Sequence, residues 1–127
     1  MARNTNRQGA NFELRVMADL EEHGYTCLRS SGSRGAVDVV AVTATDWWPK
    51  DESDCSNLLF IQCKITNPVI SPKERMAVQD LALRAGALPL VAHWAKHEDT
   101  GRVGVKYRQL TGPGPKDWAH WVPGGDN

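Results

Sequence analysis

The sequence predicts an α/β domain in which two helices flank a mixed sheet of five strands, in the order α-β-β-β-α-β-β. Two apolar runs of strand length lie at 35–42 and 58–64. Residues 9–23 carry apolar side chains at helical spacing, and Ser71 opens a second helical segment. A chain of 127 residues is long enough for one domain with a hydrophobic core and too short to expect two. We therefore predict a single domain over residues 1–127.

Composition alone does not identify a function. Fifteen basic and fifteen acidic residues give a net charge of zero, so a nucleic-acid surface would have to come from local arrangement. No apolar run approaches the length of a membrane span, and the first ten residues are polar, unlike a secretory signal. We expect a soluble, cytoplasmic protein with no membrane partner. Cys27, Cys55 and Cys63 lack metal-ligand spacing and are expected to be free thiols.

The first helix is predicted from about residue 9 or 10 to residue 23, with Gly24 ending it. Glu13 falls inside the apolar stripe of this helix rather than on its solvent face. The stripe consists of Phe12, Val16, Met17 and Leu20. Two interpretations of Glu13 stay open: an acid favoured by the helix dipole in the first turn, or a functional acid on the buried side.

A short first strand is predicted at 25–29, followed by a serine- and glycine-rich loop at 30–35. Glycines let backbone amides approach a ligand closely, serine hydroxyls donate hydrogen bonds, and Arg34 can pair with a phosphate. The same composition is typical of an ordinary turn between two strands. Phosphate binding and simple chain reversal therefore both remain open for this loop.

Asp38 lies among valines in the apolar run 35–42. Alternation along a strand projects Gln62 and Lys64 from one face of the run 58–64, so three polar side chains could meet on one sheet. An unpaired buried carboxylate is unfavourable unless it gains a hydrogen-bonded partner, a shifted pKa or a metal ion. Asp38 is therefore either half of an ordinary ion pair with Lys64 or an arginine, or a ligand of a divalent cation together with the oxygen of Gln62.

Residues 43–57 form a polar, acidic insertion between the second and third strands, and this insertion contains Trp47 and Trp48. Long loops in compact domains are often functional or disordered. The two tryptophans could stack on bases or wedge into DNA, or they could cover an edge of the core or a dimer contact. We favour the packing role.

The second helix has well-defined ends in the sequence. Ser71 is the predicted N-cap, Pro72 the first helical residue and Glu74 the partner that completes a capping box. The helix is predicted to run to residue 85 and to end at Gly86.

Two further strands are predicted at 88–95 and 103–110. The second of them turns Lys106 and Arg108 to one face, which could contact phosphate but also fits any solvated strand face. A tail at 111–127 is rich in glycine and proline. Its tryptophans at positions 118 and 121 are expected to anchor it against the body of the protein or a partner subunit.

Four short motifs occur in order along the predicted elements. They are Arg7-Gln8-Gly9-Ala10-Asn11-Phe12-Glu13, the serine-rich loop Ser30–Ser33, Ala36-Val37-Asp38 and Ile61-Gln62-Cys63-Lys64. Together they resemble the PD-(D/E)XK nuclease superfamily, and within it the archaeal-type Holliday junction resolvases. The resemblance covers about residues 7–110 and leaves the 43–57 insertion and the 111–127 tail outside.

This resemblance implies a restriction-endonuclease-like core and a magnesium-dependent endodeoxyribonuclease. At the matching positions, Glu13, Asp38 and Gln62 would bind one or two Mg²⁺ ions, with Mn²⁺ as a substitute. Lys64 would orient or activate the attacking water, and Ser31 would act as a further catalytic residue at the scissile phosphate. The implied DNA contacts are Arg7, Ser30, Ser33, Arg34, Lys73 and Arg75.

Two positions depart from the family pattern. The segment before Asp38 lacks the proline that gives the superfamily its name, and Gln62 replaces the usual acid. The amide oxygen of Gln62 can still coordinate Mg²⁺, but one negative charge is lost, so metal affinity should fall.

The implied function is resolution of four-way junctions, in DNA recombination and repair, by paired and symmetric phosphodiester hydrolysis. A homodimer would present two equivalent sites to branched double-stranded DNA. Two alternatives remain open. One is another nuclease of the superfamily, of repair or restriction type. The other is a non-catalytic module that binds branched DNA after its metal site has weakened.

Overall fold

The computed structural model describes residues 5–30, 37–43 and 58–123. Two helices and six strands follow one another along these ranges. They are α1 Thr5–Glu21, β1 Tyr25–Arg29, β2 Val39–Thr43, β3 Leu58–Cys63, α2 Pro72–Ala85, β4 Leu88–Lys96, β5 Val103–Leu110 and β6 Trp118–Trp121. Apart from Thr43, the predicted insertion with Trp47 and Trp48 lies outside the described residues.

All six strands form one sheet, and its spatial order β1-β2-β3-β4-β5-β6 follows the order of the chain. Neighbouring strands are antiparallel except β3 and β4, which run parallel and are connected through α2. The predicted mixed α/β sheet is therefore confirmed. The prediction of five strands was one short, because β6 has only four residues and lies in a tail whose glycine and proline content indicated no strand.

The ends of α2 follow from its capping residues. The Ser71 hydroxyl accepts a hydrogen bond from the Glu74 N–H at 3.1 Å, and the Glu74 carboxylate accepts one from the Ser71 N–H at 3.0 Å. Gly86 ends the helix with φ of 73°, a left-handed conformation that glycine adopts without a Cβ clash. Both predicted ends are confirmed.

The other helix, α1, begins at Thr5, about one turn before the predicted start. Gly9 lies inside it, because one glycine lowers helix stability by only about 1 kcal/mol and does not end a helix. This earlier start moves Glu13 to the middle of α1, and the first turn of the helix holds no acid. The explanation of Glu13 as a first-turn acid favoured by the dipole is therefore wrong.

The two helices pack on opposite faces of the sheet. The α1 side holds the larger buried cluster, in which α1 side chains pack on alternate residues of the strands. This cluster comprises Phe12, Val16, Leu20, Tyr25, Cys27, Val39, Ala41, Leu59, Ile61, Leu90, Ala92 and Tyr107. The α2 side holds a smaller one, comprising Val37, Ile70, Val78, Val91 and Leu110. The helix α2 packs against β3 and β4. On the α2 side of the sheet, β5 and β6 therefore extend past the strands that the helix covers.

Side chains of the tail pack against the body of the protein, as one of the two sequence interpretations expected. Trp121 meets Tyr107 edge-on at 5.3 Å between ring centroids. Trp118 lies under the guanidinium of Arg108, 3.7 Å from its carbon to the ring centroid. The guanidinium of Arg75 donates to the carbonyl oxygens of Gly112 and Asp117, at 2.9 and 3.0 Å. These contacts hold the chain between β5 and β6 against α2.

Cys27 and Cys63 are free thiols, as predicted, while Cys55 lies outside the described residues. Within those ranges, no helix is both long and apolar enough to cross a lipid bilayer.

Two leucines of α1 provide a test of this packing. Leu20 is fully buried in the larger cluster, whereas Leu14 is 50% exposed on the outer face of the same helix. We expect Leu20→Ala to lower the free energy of unfolding by about 2–5 kcal/mol, because it leaves a cavity that the core cannot fill. Leu14→Ala should change it by about 0.5 kcal/mol or less. Urea denaturation measures both, and equal losses would contradict the placement of α1.

Candidate active site

Asp38 is fixed by its backbone and its side chain where β1, β2 and β3 meet. Its N–H donates to the Ile61 oxygen at 2.8 Å, and its carbonyl oxygen accepts from the Ser30 N–H at 2.9 Å. The carboxylate oxygen Oδ2 accepts from the Cys63 N–H at 2.8 Å. Asp38 lies immediately before β2, which begins at Val39. The carboxylate is thereby held at the carboxyl end of β3.

Gln62 lies across from this carboxylate. Val39 pairs with Ile61 in the antiparallel register, which places Asp38 beside the end of β3 where Gln62 lies. The side-chain oxygen Oε1 of Gln62 is buried and has no hydrogen-bond partner among the described residues. A buried acceptor left unbonded costs about 1–3 kcal/mol. The oxygen is therefore available to a partner other than the described residues.

Glu13 reaches the same region from α1. Its side chain is 18% exposed, and Oε1 accepts a hydrogen bond from Nε of Arg29 at 2.9 Å. Burial raises the pKa of Glu13 and the charge of Asp38 raises it further, while the hydrogen bond and charge of Arg29 oppose both. Burial also raises the pKa of the Cys63 thiol, with smaller contributions from Asp38 and Glu13. The charges of the two carboxylates therefore both act on Cys63, and the charge of Asp38 acts on Glu13.

The pKa of Asp38 is also raised, chiefly by burial and further by the charge of Glu74. The Cys63 N–H and the charge of Lys64 act in the opposite direction without cancelling the effect of burial. Glu13 and Asp38 are thus two carboxylates whose ionised forms lack sufficient compensating charge. A cation held by these carboxylates would lower both pKa values.

Lys64 follows β3 directly, and its N–H donates to the Ala92 oxygen of β4 at 2.9 Å. Its ammonium group forms an ion pair with the Glu74 carboxylate, with 3.1 Å between Nζ and Oε2. The Ser71 N–H, and then Lys64, lower the pKa of Glu74. Asp38 does not form the ion pair with Lys64 that one interpretation expected, because the lysine pairs with Glu74. The same interpretation also allowed an arginine, and Arg34 lies outside the described residues. Sequence reasoning recognised Glu74 only as a capping residue.

No group of three His, Cys, Asp or Glu side chains within residues 5–30, 37–43 and 58–123 is arranged to hold a metal ion. Glu13 and Asp38 supply two carboxylates, and the third predicted ligand is the amide oxygen of Gln62. Gln62 stands where the family pattern has an acid, so one negative charge is missing. Among these three predicted ligands, no third carboxylate replaces it.

Four other predicted site residues cannot be placed. Ser31, Ser33 and Arg34 lie outside the described residues. Arg7 belongs to the first part of α1, where only the backbone is described. Their proposed roles therefore remain predictions from the sequence.

Ser30, Lys73 and Arg75 are described, and they differ in exposure. The N–H of Ser30 binds the Asp38 carbonyl, so Ser30 helps to fix the site. Lys73 is exposed in the first turn of α2, where it is free to meet a ligand. Arg75 is only 5% exposed, and its guanidinium holds the carbonyls of the tail. The expectation of Arg75 as a DNA contact is therefore revised, because its donors face the protein.

No protein-family model matches this chain, and no curated protein matches it in sequence. The chain is similar to the solved structure of Hjc, a Holliday junction resolvase from the archaeal hyperthermophile Archaeoglobus fulgidus. The TM-score is 0.55 at 21% sequence identity, and the match covers 79% of this chain and 70% of that chain. The similarity shows the restriction-endonuclease-like fold, and it confirms the predicted resemblance at the level of fold.

The raised pKa of Asp38 predicts a specific pH dependence of stability. Between the ordinary pKa of 3.8 and the raised one, the folded protein keeps a proton that the unfolded chain has lost. The free energy of unfolding therefore falls as pH rises through this window. Asp38→Asn keeps an oxygen acceptor for the Cys63 N–H and carries no charge. We expect this variant to be more stable than the wild type at pH 7, with the difference vanishing below about pH 4.

Urea denaturation in the presence of chelator, repeated from pH 4 to pH 8, measures this difference. A variant that is less stable than the wild type at pH 7 would contradict the prediction. Such a result would mean that the Cys63 N–H and the charge of Lys64 stabilise the ionised Asp38 by more free energy than its burial costs.

Proposed function

We propose that this protein is a metal-dependent, structure-selective DNA endonuclease that resolves four-way junctions by paired phosphodiester hydrolysis. The observation that carries the proposal is the polar cluster at the end of β3. Asp38, the unbonded oxygen of Gln62 and the Lys64–Glu74 ion pair meet there, and Glu13 approaches from α1. The similarity in fold to a Holliday junction resolvase supports the same conclusion.

The residues present fit a hard divalent cation. Glu13, Asp38 and Gln62 would hold Mg²⁺, or Mn²⁺ in its place, through oxygen atoms, which are the ligands that Mg²⁺ prefers. The unbonded Gln62 oxygen and the two poorly compensated carboxylates would both gain from such an ion. The chemistry supplied by the bound ion is polarisation of the scissile phosphoryl group.

Lys64 supplies positive charge to this site at the end of β3. Glu74 holds its ammonium group from one side and is itself fixed by Ser71 at the start of α2. An ammonium held in this way would orient the attacking water and offset negative charge that develops on the phosphate during hydrolysis. Its position therefore depends on the capping box of α2 as well as on β3.

The remaining contacts to DNA are proposed from the sequence. Ser31 would contact the scissile phosphate, and Arg7, Ser33 and Arg34 would bind neighbouring phosphates. Ser30 acts through its backbone contact with Asp38, and Lys73 is exposed for binding. Such contacts read the shape and charge of DNA rather than its sequence, as junction selectivity requires.

A homodimer would supply the second nick, and we place its contact surface on α2. Met76 and Leu83 are 68% and 80% exposed on one side of this helix, seven residues apart. They line a groove of about 460 Å³ whose other lining residues are Pro72, Arg75, Gln79, Asp80 and Pro113. The tail tryptophans are weaker candidates for this surface, because their rings pack within the protein.

One observation favours a second candidate function. Gln62 leaves the site one negative charge short, so the fold could serve as a non-catalytic module that binds branched DNA. Another nuclease of the same fold, of repair or restriction type, would share the site and differ in substrate. Cleavage assays with matched substrates separate these functions.

We expect the protein to cut a labelled four-way junction in Mg²⁺, with paired symmetric nicks, and to leave linear duplex of the same sequences intact. Chelator should abolish cutting, and Asp38→Ala should lower its rate by at least about 100-fold, because the cation loses a central ligand. The matched control is Glu22→Gln, which removes an exposed carboxylate just after the end of α1, on the opposite face of the sheet from α2. It should cut at the wild-type rate.

Tight junction binding without cutting in any divalent metal would favour the non-catalytic module. Cutting of linear duplex or flaps in preference to the junction would favour another nuclease. Undiminished cutting by Asp38→Ala would show that the assigned site is wrong.

Substitution of Gln62 tests its role as a ligand without relying on cleavage. Gln62→Glu adds the missing carboxylate, so we expect half-saturation by Mg²⁺ at a concentration about tenfold lower. Gln62→Met removes the oxygen and should weaken Mg²⁺ binding instead. Calorimetric titration of the protein without DNA, and the rise in melting temperature with Mg²⁺, measure both effects. Equal Mg²⁺ affinity of all three proteins would contradict a ligand role for Gln62.

A further inference from the structure

Four basic side chains form a strip across β4, β5 and β6, on the face of the sheet that α2 leaves uncovered at β5 and β6. Alternation along each strand places them on the same side as Val91, Leu110 and Trp118 of the smaller cluster. These four residues, here called the cationic strip, are His93, Lys106, Arg108 and His120.

The pairing of the strands brings the members of the strip together. His93 of β4 lies opposite Lys106 of β5, and Arg108 of β5 lies opposite His120 of β6. Opposite residues of antiparallel strands have Cβ atoms about 5 Å apart. The ring centroids of Trp118 and His120 are 5.1 Å apart. The guanidinium carbon of Arg108 lies 3.7 Å from the centroid of the Trp118 ring.

The cationic strip begins beside the candidate active site. The ladder between β3 and β4 continues past Cys63 through the bond from the Lys64 N–H to the Ala92 oxygen and the bond from the Trp94 N–H to the Ile65 oxygen. Lys64 is therefore the neighbour of His93. Since strands lie about 4.8 Å apart, two strand spacings of roughly 10 Å separate Lys64, directly after β3, from Lys106 on β5.

No carboxylate neutralises the strip within the described part of the chain. The ion pairs there are Arg29 with Glu13, Lys64 with Glu74 and Arg84 with Asp80. Glu98 and Asp99 of the β4–β5 turn border the same cavity as Lys106 and His120. Neither of them forms an ion pair with the strip.

The residues of the strip affect one another electrostatically. His93 is 8% exposed, and its Nδ1 has no hydrogen-bond partner among the described residues. Burial lowers its pKa to about 4, and the charges of Arg108, Lys106 and His120 contribute, with a smaller effect of His97. Burial and the charge of Arg75 lower the pKa of Arg108. The low pKa leaves His93 neutral at pH 7, so the charges of the strip there come from residues such as Lys106 and Arg108. Neither of these two side chains forms an ion pair among the described residues, and a bound anion would supply the missing partner.

We propose that the cationic strip binds the phosphate backbone of the DNA strand that passes the candidate active site. The choice of DNA rests on the proposed function, whereas the anionic character of the ligand rests on the strip itself. Phosphate oxygens would accept hydrogen bonds from Lys106, Arg108 and His120. Base stacking on Trp118 is disfavoured because Arg108 and His120 already contact its ring. The strip therefore reads charge and spacing rather than base sequence.

The test is binding of a fluorescent four-way junction, measured by anisotropy in chelator so that no cutting occurs. We compare the wild type with the double variant Lys106→Gln/Arg108→Gln over a series of salt concentrations. Loss of two phosphate contacts should weaken binding by about tenfold or more at 100 mM salt and reduce the salt slope by about two. The matched control is Lys96→Gln/Arg102→Gln, which removes two exposed charges near the β4–β5 turn. It should bind like the wild type.

A second variant separates charge from structure. Arg108→Lys keeps the positive charge and loses the planar stacking on Trp118, so it should retain most of the binding if the strip holds phosphate. The single variant Arg108→Gln is measured beside it. If Arg108 only secures β6, Arg108→Lys should bind as weakly as Arg108→Gln, and that result would overturn the proposal. Melting temperatures of every variant show whether the fold is intact.

Different results would reject DNA binding by the cationic strip and the proposed nuclease function. Cutting of junctions by the wild type, with unchanged affinity and salt slope in the double variant, would overturn the strip and leave the nuclease standing. Junction binding that depends on the strip, without any cutting, would uphold the strip and reject the nuclease. Competition of millimolar inorganic phosphate with the junction at constant ionic strength would identify a small-anion site and overturn the assignment to DNA backbone.

Discussion

The hydrogen bond between the Asp38 carboxylate and the Cys63 N–H is the constraint around which the site is built. Burying an ionised carboxylate is unfavourable unless hydrogen bonds and nearby positive charges compensate for the lost water. These groups stabilise the charge only if the backbone holds the carboxylate in a fixed position. The N–H of Asp38 binds Ile61 of β3, while its carbonyl accepts from Ser30 after β1. The ends of three strands are thus fixed to one residue, which determines where Gln62 and Lys64 emerge from β3.

The fold was predictable wherever a local signal determined the structure. The capping box at Ser71 and the glycine at position 86 defined α2, because each satisfies backbone groups within a few residues of itself. The bounds of α1 and the presence of β6 were not predictable in the same way. Gly9 looked like a helix boundary, but the helix continues through it. The four residues of β6 become a strand only because β5 offers an edge and Tyr107 packs against Trp121.

Individual site residues were visible in the sequence because they are polar in apolar surroundings, but their partners were not. Asp38, Gln62 and Lys64 interrupt strand patterns, and Glu13 interrupts a helical stripe. The ion pairs of Glu13 with Arg29 and of Lys64 with Glu74 join residues of different elements, so they depend on tertiary packing. His93 gave no signal, since a single histidine in a strand is ordinary until the register places it opposite Lys106.

The neutral charge of the chain conceals an uneven distribution of that charge. A net charge of zero argues against DNA binding only if opposite charges are mixed over the surface. Here the acids at the site lie near arginine or lysine partners, whereas the cationic strip has no carboxylate partner among the described residues. The electrostatic field of an exposed charge decays over about 10 Å at 0.1 M salt. A DNA strand bound on the cationic strip would therefore experience the local charge rather than the net charge of the protein. A neutral protein can therefore present Lys106 and Arg108 without ion-pair partners among the described residues, two strands away from its acidic centre.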